Sequence, residues 1–85
     1  VYFYDPEARI EIDQERLREL YSLSEAETRV AAAMVDTPDS AAVAKRCVIS
    51  SHTVRSHIKA IFSKTGTHSR ADLMKRLLAG PVRRS

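Results

Sequence analysis

Apolar residues recur at three- and four-residue steps along most of the chain, which is the spacing of amphipathic helices. A first helix is predicted at residues 14–21, with Asp13 as its N-cap. A second helix opens at Ser24, which forms a capping box with Glu27, and it runs to about Val35. The residues of this second helix that are expected to face inward are Ala26, Val30, Ala33 and Met34.

Three further helices are predicted in the second half of the chain. The first has barely two turns, at residues 40–47, with Val43, Ala44 and Cys47 on its inner side. The second covers residues 51–64 and stops at Gly66, a residue suited to a left-handed C-terminal cap. The third runs to Leu78 or Ala79. The helix at 40–47 is capped by Asp39 or Ser40, and the helix at 51–64 by Ser50 or Ser51. The last helix begins at a second capping box, formed by Ser69 and Asp72.

The two ends of the chain depart from the helical pattern. Val1–Tyr4 is a β-prone aromatic run, which we interpret as the end of an upstream domain; the alternative is that Tyr2 and Phe3 pack on the helices. Val82–Ser85 is expected to be a frayed tail. The predicted division is an N-terminal extension or linker at 1–22, a helical domain at 23–80 and a tail at 81–85.

The composition fits one small helical domain. Eighty-five residues can bury one modest core, and only two Gly and three Pro occur, which favours an all-α fold with short turns. The single cysteine, Cys47, excludes an intramolecular disulfide and suggests a reducing compartment. No membrane-spanning run or signal peptide is visible, so we expect a cytoplasmic protein.

Charge is distributed unevenly between the two halves of the chain. Residues 1–36 hold nine acidic side chains against four Arg, a balance of −5, whereas residues 37–85 hold two acidic side chains against ten Lys and Arg, a balance of +8. No Asp or Glu occurs from Ser40 to Ala71. One basic half is typical of a nucleic-acid-binding protein with a single docking face, although a protein that is merely polarised would look the same.

The helix at 51–64 has one apolar and one donor-rich side. Val54, Ile58, Ile61 and Phe62 form the apolar stripe. The opposite side carries His52, Arg55, Ser56, Lys59 and Ser63. An ordinary solvated helix face mixes both signs of charge, whereas this one suits the phosphates and base acceptors of a DNA major groove. Preceded by a short helix and a tight turn, it predicts a helix-turn-helix.

These residues make the sequence recognisable. Leu23–Leu73 resembles the LuxR-type (GerE-like) DNA-binding domain of bacterial transcriptional regulators and aligns with it without a gap. The resemblance rests on LSEAE (Leu23–Glu27), Val30, Val43-Ala44, Ile49-Ser50, HTVRSHIK (His52–Lys59), Ile61-Phe62, KTG (Lys64–Gly66) and Arg70–Leu73. It implies a four-helix domain whose third helix reads the major groove and whose fourth helix mediates dimer contacts.

The resemblance also implies roles for individual residues. Arg55, Ser56 and Lys59 fall where the family contacts base edges or the nearby backbone, and His52 is a further candidate on the open side. The residues that fall at or near phosphate contacts are Ser50, Thr53, Lys64 and Arg70, to which the positive end of the helix adds Ser51. Glu27 falls at the capping position of the first long helix.

Partners follow from the same resemblance. Double-stranded DNA is the expected ligand, and a homodimer through the last helix is expected, with Leu73 and Leu77 as candidate dimer residues if they are not ordinary core. The start of the chain is similar to the subgroup in which this domain follows a PAS-like sensor, so an upstream sensor domain is expected in the full-length chain. RNA polymerase is a further candidate partner, and localisation at the nucleoid would follow.

Three positions depart from the family pattern. Thr37 and Val48 stand where Gly is common, and a β-branched residue at positive φ would be an outlier, so the turn at Val48 must change conformation or carry strain. Ala42 replaces a common acidic residue and removes one capping partner. These departures concern stability and turn geometry rather than the groove-facing residues.

Other functions have weaker support. Cys47, His52 and His57 lack the number and spacing of a zinc site, and His57 is expected to be a partly buried, hydrogen-bonded residue rather than a DNA contact. Neither paired carboxylates nor a phosphate loop is visible, so no cofactor, metal or catalytic activity is predicted. The alternative function is a helical adaptor module whose basic face docks an acidic protein.

Overall fold

A computed structural model describes the chain at residues 11–37 and 39–84. The strand predicted at Val1–Tyr4, and the alternative packing of Tyr2 and Phe3, lie outside these residues. None of the helices in the described ranges has the length and hydrophobicity that a membrane span requires.

Five helices make up most of the described chain, which confirms the prediction of an all-α domain of four helices preceded by a short one. They are α1 (Gln14–Tyr21), α2 (Glu25–Asp36), α3 (Ser40–Cys47), α4 (Ser51–Thr65) and α5 (Arg70–Ala79). Two short strands, β1 (Glu11–Ile12) and β2 (Arg83–Arg84), pair antiparallel, with Glu11 opposite Arg84 and Ile12 opposite Arg83.

Each helix begins where its capping side chain predicts. The side-chain oxygens of the five N-caps, which are Asp13, Ser24, Asp39, Ser50 and Ser69, accept hydrogen bonds from the backbone N–H three residues further on. The capping box of Ser24 and Glu27 is complete in both directions. The second predicted capping box, formed by Ser69 and Asp72, is incomplete. The Asp72 carboxylate accepts a 3.2 Å hydrogen bond from the backbone N–H of His68 instead of from that of Ser69.

The core is built from aliphatic side chains of all five helices. Its largest fully buried members are Leu17, Met34, Ile61, Leu73, Leu77, Val30, Val43, Val54 and Val82. The inward-facing prediction for α2 is confirmed for Val30, Ala33 and Met34, but Ala26 is exposed because Glu27, Thr28 and Ala31 take the inner side of the helix instead. On α3, Val43 and Ala44 are buried and Cys47 is half-buried.

Leu73 and Leu77 are core residues, which is the alternative that the sequence left open to their role as dimer residues. Both side chains are 0% exposed within a single chain. Residues four apart lie on one side of a helix, and α5 turns this side onto the core. A second copy therefore cannot reach either leucine without unpacking the domain.

The sequence predicted a frayed tail at Val82–Ser85, and this prediction is wrong for Val82, Arg83 and Arg84. Val82 is 1% exposed and belongs to the core, and its carbonyl oxygen accepts a 2.7 Å hydrogen bond from the N–H of Asp13. This bond continues the β1–β2 pairing toward α1. The two ends of the described chain are therefore fastened to each other.

The two positions at which the family commonly has glycine behave differently. Val48 does adopt the left-handed conformation, with φ 59° and ψ 47°, so the turn keeps the geometry that suits glycine and carries strain. Thr37 has an extended backbone, with φ −119° and ψ 121°, which any residue can adopt. The substitution at Thr37 therefore costs no backbone strain.

Candidate nucleic-acid interface

The helix-turn-helix consists of α3, a tight turn and α4, and both helices pack against α2. At the end of α3 the N–H of Val48 donates to the carbonyls of Ala44 and Lys45, and the N–H of Ile49 donates to Ala44 at 3.0 Å. Ser50 then caps α4 two residues after Val48. The turn is thus closed by backbone hydrogen bonds, which sets the direction in which α4 leaves it.

The inner side of α4 is buried and its outer side is open. Val54, Ile61 and Thr65 are buried, and the Thr65 hydroxyl donates to the carbonyl of Ile61 and pairs with the Thr67 hydroxyl, both at 2.8 Å. The outer side chains, which are His52, Arg55, Ser56, Lys59 and Ser63, are all exposed. The predicted donor-rich surface is therefore accessible and is not covered by the described part of the acidic N-terminal segment.

The amino-terminal end of α4 brings the predicted hydroxyl residues together. Ser50 is exposed, whereas Ser51 and Thr53 are half-buried. The Ser50 Oγ atom accepts from the N–H of Thr53 at 3.1 Å and lies 2.8 Å from the Thr53 Oγ1 atom. The first N–H groups of an α-helix have no partner inside the helix, so this end concentrates hydrogen-bond donors near the outer face.

Lys64 lies in the last turn of α4 and forms an ion pair with Glu27. Its Nζ atom donates to the Glu27 Oε1 atom at 2.7 Å, with side chains 39% and 11% exposed, respectively. The same carboxylate oxygen accepts from the N–H of Ser24 at 2.9 Å. The hydrogen bond from Lys64, followed by that from Ser24, holds the pKa of Glu27 below its ordinary value of 4.5, although burial opposes the shift.

Arg70 contacts the backbone at the end of α2. Its side chain is half-buried, and its terminal Nη2 atom donates to the backbone carbonyls of Met34 and Thr37. These carbonyls belong to the last turn of α2 and to its C-cap. Arg70 therefore satisfies acceptors at the end of α2, and its role as a phosphate contact stays a prediction.

The remaining candidates for other chemistry do not assemble into a site. His57 is half-buried, as the sequence predicted. His52 is exposed, and Cys47 lies half-buried on α3. Among residues 11–37 and 39–84, no three His, Cys, Asp or Glu residues are grouped to hold a metal ion.

These elements form a helix-turn-helix whose second helix has an open, basic face. The sequence model of the family described as bacterial regulatory proteins, luxR family (GerE), matches residues 21–77, about two thirds of the chain. The chain belongs to the LuxR family. As a LuxR-family helix-turn-helix domain, it is a DNA-binding domain of a bacterial transcriptional regulator. Comparisons with curated proteins and with solved structures gave no match.

The LuxR-family match contains α2, α3 and α4 in full and leaves out structure at both ends. Almost all of α1, the β1–β2 pair and Val82 lie outside it, yet Leu17 and Val82 are core residues. This LuxR-family chain therefore builds its core from more than the matched segment.

Sequence reasoning missed the polar contacts that hold α2 to its neighbours. Arg46 on α3 donates to the Asp36 carboxylate and, at 3.0 Å, to the Thr37 hydroxyl. Arg46 and Arg70 thus connect the end of α2 to α3 and α5, and Lys64 connects its start to α4. These partners lie from 9 to 37 residues apart, and no local pattern links residues so far apart in sequence.

Proposed function

We propose that the chain binds double-stranded DNA in a sequence-specific way, with the outer face of α4 in the major groove. The observation that supports this is the open face of α4, on which every exposed polar residue is neutral or basic. A B-DNA major groove is about 12 Å wide, which admits one α-helix with its side chains. A helix of this length spans roughly 22 Å, so its amino-terminal half can enter the groove while the rest leaves it.

Individual contacts follow from this placement. Arg55 is the best candidate for a base reader, because its planar guanidinium can donate two hydrogen bonds to O6 and N7 of guanine. Ser56 and Lys59 lie within one turn of it on the same open side, and His52 precedes it there. The hydroxyl residues at the start of α4, which are Ser50, Ser51 and Thr53, are the proposed phosphate contacts.

Lys64 and Arg70 take different places in this proposal. Lys64 has three donors and an exposed fraction of 39%, so it can hold Glu27 and still offer a donor to a phosphate. Arg70 is left out of the contact set, because its side chain is half-buried and its Nη2 atom donates to two backbone carbonyls at the end of α2.

We propose a dimer on DNA through the outer side of α5, with Leu73 and Leu77 excluded. Ala71 and Lys75 are exposed, and Met74 and Leu78 are half-buried at the three- and four-residue spacing of one helix face. Such a dimer would bind two half-sites about 10 base pairs apart. A sensor domain upstream of this chain and contact with RNA polymerase belong to the same proposal for the full-length regulator.

The test is a selection of binding sites from random duplex DNA, followed by titration of the selected duplex with the chain and with Arg55→Ala. The substitution is expected to cost about 1–3 kcal/mol of binding free energy and to relax the preference at one base pair. Arg29→Ala is the matched control, because Arg29 is an exposed arginine on α2, paired with Glu25 at 3.1 Å and off the proposed interface.

Two results would contradict the proposal. If the parent chain selects no sequence and binds duplex DNA no better at low salt than at high salt, the adaptor function with an acidic protein partner becomes the better account. If Arg29→Ala and Arg55→Ala weaken binding equally, α4 is not the reading helix.

A further inference from the structure

Val48 combines two unfavourable features for which the protein's own packing offers no compensation. It is 87% exposed, whereas Leu20, the other exposed large apolar residue in the described ranges, is 51% exposed. It is also one of two non-glycine residues with positive φ in the described parts of the chain, the other being Ser22. A β-branched side chain in this conformation is unfavourable, because its Cβ substituents crowd the backbone.

Neither the exposure nor the positive φ of Val48 gives its side chain a contact inside the domain. Ile49, the next residue, is half-buried and packs against the core, and the hydrogen bonds that close the turn come from backbone N–H groups. Glycine would make the same backbone bonds without strain and would expose no apolar surface. Strained residues of this kind are concentrated at functional sites, so the conformation of Val48 points to a contact outside the domain.

The position of Val48 indicates what that contact is. Val48 lies two residues before Ser50, the N-cap of α4, and two residues of extended chain span at most about 7 Å. With the start of α4 in the major groove, an exposed side chain this close to Ser50 would lie beside the sugar-phosphate strand that borders the groove. The apolar groups available on that strand are the C–H groups of the deoxyribose rings.

We propose that the isopropyl group of Val48 packs on a deoxyribose of the DNA strand beside the start of α4, and so adds an apolar, sequence-independent contact to the interface. This inference rests on the proposed function. It assigns binding energy to a side chain that forms no hydrogen bond to DNA and lies outside the recognition helix. The strain of the turn is then offset when the side chain leaves water against the sugar.

The test is a series at one position, Val48→Ile, Val48→Ala and Val48→Gly, measured for DNA affinity and for thermal stability. DNA affinity should rise with the apolar size of the side chain. Val48→Ile should bind at least as tightly as the parent, and Val48→Ala and Val48→Gly should each bind about fivefold more weakly. Stability should follow the opposite order, since glycine relieves the left-handed strain most and alanine relieves part of it. A turn residue without a DNA contact would not give opposite orders.

Two control variants each share one feature of Val48 at a site away from α4. Ser22→Gly removes the other left-handed non-glycine residue, at the end of α1, and should raise stability without changing affinity. Leu20→Ala removes exposed apolar surface from α1 and should leave affinity unchanged. The whole series is titrated against the selected duplex and against one of scrambled sequence, and the sugar contact predicts the same fold-change on both.

Each other outcome contradicts the inference. Equal affinity across the series, with Arg55→Ala still defective, would show that the chain reads DNA without help from Val48. A loss confined to the selected duplex would place the side chain on a base instead of a sugar. Failure of the parent chain to bind either duplex would overturn the inference together with the proposed function.

Discussion

Glu27 shows how one side chain serves two helices. Its carboxylate completes the capping box at the start of α2 and accepts the 2.7 Å hydrogen bond from Lys64 near the end of α4. The capping role could be predicted from the S-x-x-E spacing, since it connects residues three apart. The contact with Lys64 could not, because it joins residues 37 positions apart.

The first prediction concerns the pH dependence of stability. Because the pKa of Glu27 in the folded chain is lowered from 4.5, its contribution is complete above about pH 4.5 and is lost as the pH falls through the folded-state pKa. Glu27→Gln keeps a capping oxygen but loses the ion pair, and should lower the free energy of unfolding at pH 7 by about 1 kcal/mol. The mutant should then lose less stability than the parent as the pH is lowered from 5 through the folded-state pKa of Glu27.

Urea unfolding at a series of pH values measures both effects. Glu25→Gln is the matched control, because Glu25 is an exposed neighbour whose ion pair with Arg29 lies at the surface. It should change stability by less than about 0.5 kcal/mol at any pH. If the two glutamine variants have the same pH profile, the Glu27–Lys64 ion pair does not stabilise the fold.

The end of α2 shows how one helix depends on others. The last turn of α2 contains no basic residue, and its C-cap, Thr37, is extended rather than left-handed. The usual glycine cap, which satisfies the final carbonyls locally, is therefore not used. Arg70 from α5 supplies the donors to Met34 and Thr37 in its place, and Arg46 from α3 binds Asp36.

The second prediction is that Arg70→Met destabilises the domain by about 1–3 kcal/mol, since it keeps an aliphatic side chain but leaves two part-buried carbonyls without their donor. Arg76→Met is the control, because Arg76 is an exposed arginine on the same helix. Thermal unfolding measures the difference. The opposite pattern, with stability unchanged and the salt dependence of DNA binding reduced by about one phosphate contact, would restore Arg70 as a phosphate ligand.

At the scale of the whole molecule, the ends of the described chain close the core together. Leu17 and Val82 are both buried, and the Asp13–Val82 hydrogen bond holds the entry to α1 against the segment after α5. We therefore propose that the folding unit extends from residue 11 to residue 84 instead of ending with α5.

The third prediction tests that unit. Val82→Ala should lower the free energy of unfolding by about 2 kcal/mol, because it removes two buried methyl groups from a packed core. Leu20→Ala, at a side chain that is 51% exposed, should cost much less, and chemical denaturation compares the two. An unchanged midpoint for Val82→Ala would mean that residues 81–85 are the tail that the sequence suggested.

Much of this protein could be predicted from local sequence. The five N-caps, the order of the helices, the left-handed stop at Gly66 and the open face of α4 all depend on residues within about one helical turn of each other, and hydrogen bonds and periodicity act at that range. For the same reason the family resemblance could be seen in an ungapped run of residues. Local patterns determined which segments are helical and which face of α4 is polar.

Tertiary structure decided which donors and apolar faces meet across the chain. An apolar stripe such as Leu73 and Leu77 suits a core or a partner equally well, and only the packing of α5 on the other helices buries it within one chain. A basic residue likewise suits a phosphate or a carbonyl, and Arg70 lies where the end of α2 lacks donors. Burial and long-range hydrogen bonding depend on the positions of whole elements, so they arise only when the helices pack together.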